Sequence, residues 1–229
     1  MKVHWRDIPQ ARNSYAALFA ACERAGYNLN PVSCPEKDIT CYSLNSITAV
    51  RLQEEITGAD CITIAGGPHA SACYAEVATY ADYVIVGEGE HTLPALLRHI
   101  EHGGNSLIPG VANREGYFPA DTTVLLDAFP PFSTMKGYTE ITRGCPQGCF
   151  FCQTPRLFGC GMRHRSIDAI VASASRHRDQ RFVSPNAFAY GSDGIHPRMD
   201  KVEKLLARLR GMVYFGTFPS EVRPEFVSD

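Results

Sequence analysis

The densest chemistry in this 229-residue chain lies in one run, Cys145-Pro-Gln-Gly-Cys149-Phe-Phe-Cys152. Its C-x3-C-x2-C spacing lets three thiolates converge on a single metal centre from one loop. Three sulfur ligands leave one position of a four-iron cluster without a protein donor. An iron with an open site can bind and reduce a small molecule, whereas a four-cysteine cluster mainly passes electrons. Structural zinc is the rival reading, since zinc takes four closed ligands and Cys160 or His164 could complete the set. Zinc sites usually pair cysteines as two separated knuckles, and only one such run is present, so the open cluster is favoured.

The loop must be carried by regular elements on both sides. Residues 138–142 read as a strand leading into it, with Arg143-Gly144 as a flexible entry. After the loop, Ser166 is a strong helix cap, followed by Ile167, Ile170, Val171 and Ala174 at the spacing of one helical face. Residues 186–190 read as a second strand, ending in Gly191-Ser192-Asp193-Gly194. The helix after it starts near Pro197, buries Val202, Leu205, Leu206 and Leu209, and stops at Gly211. A third strand over 212–217 ends in Phe218-Pro219-Ser220-Glu221-Val222-Arg223-Pro224.

The first half alternates short apolar strands with helical periods, the pattern of a parallel α/β sheet. A helix is expected from a cap at Asn13 or Ser14 to Gly26, with Ala17, Leu18, Ala21, Cys22 and Ala25 on its apolar face. Strands are expected over 38–42, 61–65 and 83–86, and Asn45 caps a helix that stops at Gly58. Leu93, Leu96, Leu97 and Ile100 mark a further helix, ended by Gly103-Gly104. Two glycine-rich turns follow strands: Gly66-Gly67-Pro68-His69 and Gly87-Glu88-Gly89-Glu90. Ligands of open parallel sheets bind beyond the carboxyl ends of the strands, where these turns fall. Neither turn matches G-x-G-x-x-G, which argues against a dinucleotide.

The strand, the C-x3-C-x2-C run with an aromatic before its third cysteine, and the following helix resemble the radical S-adenosylmethionine enzymes. The two glycine turns, about twenty residues apart, resemble the cobalamin-binding domain attached to many members of that family. The resemblance implies a Rossmann-like cobalamin-binding domain over residues 1–105. It further implies a linker with a possible hairpin at 106–137, Gly110 to Gly116, and the first half of a radical S-adenosylmethionine (β/α) barrel at 138–229. It makes Cys145, Cys149 and Cys152 the ligands of a 4Fe-4S cluster. Gly66, Gly67, Pro68, His69, Gly87, Glu88 and Gly89 would border cobalamin, with His69 packed beside it rather than bound to cobalt. Gly191, Ser192 and Asp193 would contact S-adenosylmethionine without reproducing the family's usual Gly-Gly-Glu. Ser220, Glu221 and Arg223 are candidate contacts to its ribose or carboxylate.

The implied activity is reductive cleavage of S-adenosylmethionine to a 5′-deoxyadenosyl radical, with cobalamin carrying a methyl group to a small-molecule or peptide substrate. A reductant such as ferredoxin or flavodoxin would supply the electron. Ser228-Asp229 reads as a cap opening a further helix, so the barrel is expected to be cut short. That makes a non-catalytic or inactive cobalamin- or cluster-binding protein the alternative. Methylthiotransferases, which share this layout, would need a second cluster on N-terminal cysteines. Here Cys22 and Cys61 fall on apolar positions and read as buried small hydrophobes.

Composition sets outer limits. With 22 basic against 24 acidic side chains, nothing draws the chain toward nucleic acid or an anionic membrane. Between Arg143 and Arg181, however, seven arginines stand against two acids, Asp168 and Asp179, a surplus that could hold a carboxylate or phosphate or simply face solvent. Nine cysteines, an odd and irregularly spaced set, do not read as a disulfide framework. With no apolar leader at the N-terminus and no run long enough to span a membrane, a reducing cytoplasm is the expected location.

Overall fold

The computed structural model describes residues 1–104, 108–129, 139–215 and 221–227. The chain divides into two compact units, Met1–Val124 and Leu125–Asp229.

The first unit is built on a seven-stranded sheet. Its strands are β1 (Val3–Arg6), β2 (Leu29–Val32), β3 (Ile39–Ser43), β4 (Ile62–Gly66), β5 (Tyr83–Ile85), β6 (Val111–Asn113) and β7 (Gly116–Phe118), in the order β2-β1-β3-β4-β5-β6-β7. The pairings from β2 to β5 are parallel, and β5-β6-β7 are antiparallel. The hairpin expected between Gly110 and Gly116 is therefore present, turning at Arg114-Glu115, and it extends the sheet. The parallel part has the flavodoxin-like 2-1-3-4-5 order, whose winding reverses between β1 and β3. Every residue of β3 is buried, as a central strand covered on both faces requires. Strands β1 and β2 escape a periodicity reading because they are short and carry His4, Arg6, Asn30 and Pro31. Only Val3 and Trp5 of β1 and Leu29 of β2 turn inward.

The helices of this unit follow their local signals with one exception. Helix α1 (Arg12–Arg24) is capped by Ala11, not by Asn13 or Ser14, because a 3-10 turn at Pro9–Ala11 already winds the chain before it. Its buried face is accordingly Tyr15, Ala16, Ala20, Ala21 and Cys22. Helix α2 (Ser46–Thr57) has the expected cap: the Asn45 carboxamide accepts from Ile47 and Thr48 N–H, and the Thr48 hydroxyl accepts from Asn45 N–H. Two short helices, α3 (Gly67–Ala72) and α4 (Tyr74–Val77), follow β4. Helix α5 (Gly89–Glu101) buries Leu93, Leu96 and Leu97 almost completely. Each such leucine contributes about 1.5–3 kcal/mol through water excluded from its side chain.

The second unit has a three-stranded parallel sheet in the order β12-β11-β8, from β8 (Thr139–Glu140), β11 (Asp179–Val183) and β12 (Met212–Tyr214). A two-stranded antiparallel ribbon joins β9 (Thr142–Arg143) to β10 (Arg163–His164). Helix α6 (Thr154–Phe158) lies between these two strands in sequence. Helix α7 (Ile167–Ala174) is capped by the Ser166 hydroxyl, and α8 (Met199–Leu206) precedes β12. Ile141, Ile170, Ala174, Phe182, Tyr190, Val202 and Leu205 form the core. Leu206, expected inside, is exposed.

One strand lies upstream of its expected place. It runs over Asp179–Val183, and residues 186–190 are an irregular buried segment. The Ser184 hydroxyl donates to the Asn186 carbonyl, and the Asn186 side chain accepts from Phe188 N–H, so local side-chain bonds replace a ladder there. The real strand hid because it is polar by composition, although Gln180 and Phe182 alternate inward. The ladder seen comprises three parallel strands and does not close into a barrel among the described residues. Tyr138, Pro130-Pro131, Gly216-Thr217, Ser220 and Ser228-Asp229 lie outside the described residues.

Candidate functional site

The cysteine loop opens at Gly144, which β9 delivers with a φ of 88°. A Cβ at Gly144 would collide with the carbonyl of Gly161, so only glycine lets the two limbs of the loop pass this closely. Cys145 N–H donates to the Gly159 carbonyl at 3.2 Å and closes the loop at its base. Cys152 N–H donates to the Cys149 carbonyl at 3.0 Å, which tightens the C-x2-C half. All three cysteines are free and half-buried. Burial pushes the Cys145 thiol up, and the Glu221, Cys152 and Cys149 charges push in the same direction. Among the described residues the three sulfurs do not form a set of donors within 4.8 Å of one another. Phe150 and Phe151, between the second and third cysteines, are almost fully exposed.

The structure decides against His164 as a fourth ligand. The His164 ring is committed at both nitrogens: Nε2 lies 2.7 Å from the Ser192 carbonyl, while Nδ1 is 3.2 Å from Gly191 N–H and 3.0 Å from the Thr142 hydroxyl. A carbonyl can only accept, so Nε2 carries the proton and Nδ1 accepts. Burial holds the imidazole below its ordinary pKa, which agrees with a neutral ring. Cys160 is exposed. With the His164 ring committed, the three thiols of the loop remain as the donor set an open-site cluster uses.

Around this loop the expected contacts sort themselves. The Gly191–Gly194 turn packs against it: Gln147 Nε2 donates to the Gly194 carbonyl at 2.9 Å, and a Cβ on Gly194 would collide with Met162 and Pro146. The side chains of that turn are used internally. The buried Ser192 hydroxyl donates to Ala189 O and accepts from Gly194 N–H. Asp193 accepts from the His196 ring and from the backbone of His196 and Ile195, which holds its carboxyl well below the usual range. What the turn offers outward is therefore backbone.

Glu221 pairs with Asn186 through an isolated parallel bridge and ion-pairs with Arg223 at 2.7 Å. Glu221 is felt at Cys145 and Arg223 at Cys149, so both stand beside the loop. Asn186, which sequence reading placed in a strand, is the residue that reading missed. It is buried, and its Nδ2 has no hydrogen-bond partner. An orphaned buried donor beside a polar strand end suits a ligand carboxylate or hydroxyl.

The arginine surplus is largely absorbed by the fold. Arg143 forms a two-pronged pair with Glu140, at 2.9 and 2.7 Å, and lies over the Phe158 ring. The buried Arg165 donates to the carbonyls of Glu140, Leu126 and Phe129. Arg163 donates to Phe158 O, and Arg181 covers Tyr214.

In the first unit the two glycine turns stand at the carboxyl ends of β4 and β5. Gly67 has a φ of 91°, and a Cβ there would lie 2.8 Å from Ser43 Oγ and 3.0 Å from the Leu44 backbone. Gly89 faces Leu18, whose Cδ2 would lie 2.9 Å from an added Cβ. Gly87 N–H donates to the Ser71 hydroxyl, and the Glu88 carboxylate accepts from Val124 N–H. These glycines are explained by internal packing, which leaves Gly66, Pro68 and the His69 side chain as the turn's uncommitted surface. Among the described residues, Cys22, Cys41 and Cys61 are accounted for by packing rather than by a second cluster. Cys22 and Cys41 are core residues whose thiols burial pushes up, that of Cys22 to about 12, and Cys61 contacts the Thr40 hydroxyl.

No family model matches the chain. Sequence comparison nevertheless finds a methyltransferase and fold comparison finds radical S-adenosylmethionine proteins solved with cobalamin, and the chain is similar to both. It is 27% identical over 186 residues to the bacteriochlorophyllide d C-12(1)-methyltransferase of Chlorobaculum tepidum, covering 78% of this chain and 39% of that enzyme. Its fold matches the methyltransferase TsrM of Kitasatospora setae, solved with cobalamin and a [4Fe-4S] cluster. That match has a TM-score of 0.67 at 15% identity and covers 99% of this chain and 58% of that one. It also matches the radical enzyme OxsB, solved with aqua-cobalamin and S-adenosylmethionine, with a TM-score of 0.63 at 14% identity over 82% of this chain and 34% of that one. The chain thus spans well under two thirds of each of these relatives. Among the described residues no helix is long and apolar enough to cross a membrane.

Proposed function

We propose that this chain carries the cluster-binding and cobalamin-binding portion of a radical S-adenosylmethionine methyltransferase. The observation that carries the proposal is the loop of three half-buried free thiols, with the His164 ring committed elsewhere at both nitrogens. Cys145, Cys149 and Cys152 would hold a 4Fe-4S cluster and leave one iron for S-adenosylmethionine. Once bound, that cluster would supply the single electron that splits the sulfonium C5′–S bond into methionine and a 5′-deoxyadenosyl radical, with cobalamin as the methyl carrier.

The chain's own residues do the positioning. The Gly191–Gly194 turn presents backbone groups beside the loop, held there by Gln147 and His164. Asn186 offers its free Nδ2, and Glu221 and Arg223 set the charge next to Cys145 and Cys149. In the first unit, Gly66, Pro68 and His69 at the carboxyl end of the sheet would line the corrinoid, in the place where parallel sheets take ligands. The electron would come from a ferredoxin- or flavodoxin-type reductant. The substrate would be a small molecule or peptide.

The test is anaerobic reconstitution with iron and sulfide. The expected protein is brown, with thiolate-to-iron absorption, and releases 5′-deoxyadenosine from S-adenosylmethionine under strong reductant. Cys149→Ala should lose both properties. A colourless, zinc-loaded protein overturns the proposal. Hydroxocobalamin binding without 5′-deoxyadenosine would favour a binding module over an enzyme.

A further inference from the structure

Outside the cysteine loop, the described residues bring a second set of metal-binding side chains together. His69, Cys73 and Glu76 have ligand atoms all within 4.8 Å of one another. They are spaced four and then three residues apart across α3 and α4, which are joined by the single non-helical residue Cys73, with φ −120° and ψ 37°. Cys73 N–H donates to the His69 carbonyl at 2.8 Å, and Val77 N–H to the Cys73 carbonyl at 3.0 Å. The backbone therefore holds the three positions in register. His69 and Cys73 are half-buried and Glu76 is exposed, so an ion could enter from solvent and still be partly shielded once bound.

We propose that His69, Cys73 and Glu76 bind a divalent cation of the zinc type. The donor set is one imidazole nitrogen, one thiolate and one carboxylate, each a normal zinc ligand. Thiolate and carboxylate together carry two negative charges, which a divalent ion neutralises. The mixture of a soft sulfur with nitrogen and oxygen excludes magnesium and calcium, which take oxygen. Among the described residues no hydrogen bond occupies the His69 ring or the Cys73 thiol, and no ion pair neutralises Glu76. Three protein ligands leave a fourth position for water or an incoming donor, as in zinc sites that bind substrate. The site begins at the last residue of the Gly66–His69 turn, so an ion there would fix the His69 ring at that end of the turn.

The experiment uses the full chain carrying Cys145→Ser, Cys149→Ser and Cys152→Ser, stripped with chelator under anaerobic conditions and titrated with Co2+. The expected result is one equivalent bound, with a thiolate-to-cobalt charge-transfer band and the visible bands of four-coordinate cobalt, all displaced by one equivalent of Zn2+. Adding Cys73→Ser should abolish the charge-transfer band. His69→Ala and Glu76→Gln should each weaken binding by at least about tenfold, the scale on which a lost ligand or its support acts. Glu76 is exposed, so Glu76→Gln keeps the fold and remains readable even if Cys73→Ser does not. Absence of the charge-transfer band, its survival in Cys73→Ser, or unchanged affinity in Glu76→Gln overturns the proposal.

Discussion

Replacing His164 with phenylalanine tests the site's architecture directly. The imidazole packs edge-on to Tyr190 with ring centroids 5.6 Å apart, a contact that a phenylalanine ring can keep. What is lost is hydrogen bonding: the donor to Ser192 O at 2.7 Å, and the acceptor for Gly191 N–H at 3.2 Å and the Thr142 hydroxyl at 3.0 Å. Ser192 and Thr142 are buried, so water does not readily replace these bonds. With two to three groups orphaned at about 1–3 kcal/mol each, the second unit should lose roughly 2–5 kcal/mol. The loss should concentrate in the turn at 191–194, which Gln147 and Pro146 couple to the cysteine loop. Hydrogen exchange over peptides spanning 187–195 should rise, and the iron retained after reconstitution should fall.

The pH dependence follows from the same contacts. Burial lowers the folded-state pKa of His164, so the unfolded chain takes up the proton first as pH falls. The stabilising contribution is therefore present above the unfolded value of about 6.5 and is lost as pH drops through the folded value. The variant should lack that part of the acid sensitivity. A destabilisation below about 0.5 kcal/mol, or exchange that rises elsewhere but not at this turn, would refute the reasoning.

Further outcomes follow from other contacts. Gly67→Ala forces a β-carbon into a positive-φ position 2.8 Å from Ser43 Oγ. It should destabilise the first unit by about 1–3 kcal/mol, the range for strained backbone, seen as an earlier urea midpoint in the fluorescence of the single, buried Trp5. Arg165→Met removes the donor to three carbonyls, Glu140, Leu126 and Phe129. It should cost about 3 kcal/mol or more in the denaturation of the second unit followed by circular dichroism, whereas exposed Arg176→Met should stay within about 0.5 kcal/mol.

Local chemistry made the cysteine loop legible, because ligand spacing within one loop needs no knowledge of distant contacts. The same holds for the Asn45 and Ser166 caps, where the recognising side chain lies within three residues of its partners. The leucines of α5 follow the same logic, since their periodicity is itself the core-facing pattern. The displaced strand did not show. Asp179–Val183 looks polar residue by residue, and only pairing with β8 and β12 reveals that Gln180 and Phe182 face inward. Residues 186–190 looked like a strand because burial in a turn and burial in a sheet favour the same apolar side chains.

Tertiary structure alone decided the roles of the long-range polar groups. That His164 is committed at both nitrogens depends on Ser192 and Gly191, 28 and 27 residues away. That Asn186 keeps a buried free donor beside Glu221 depends on a bridge between segments far apart in sequence. The glycines of the first unit read as ligand-facing from their types, yet Gly67 and Gly89 are explained by Ser43, Leu44 and Leu18. Spacing along the chain determined which atoms could bind a metal together; packing across the chain determined which of them were still free to do so.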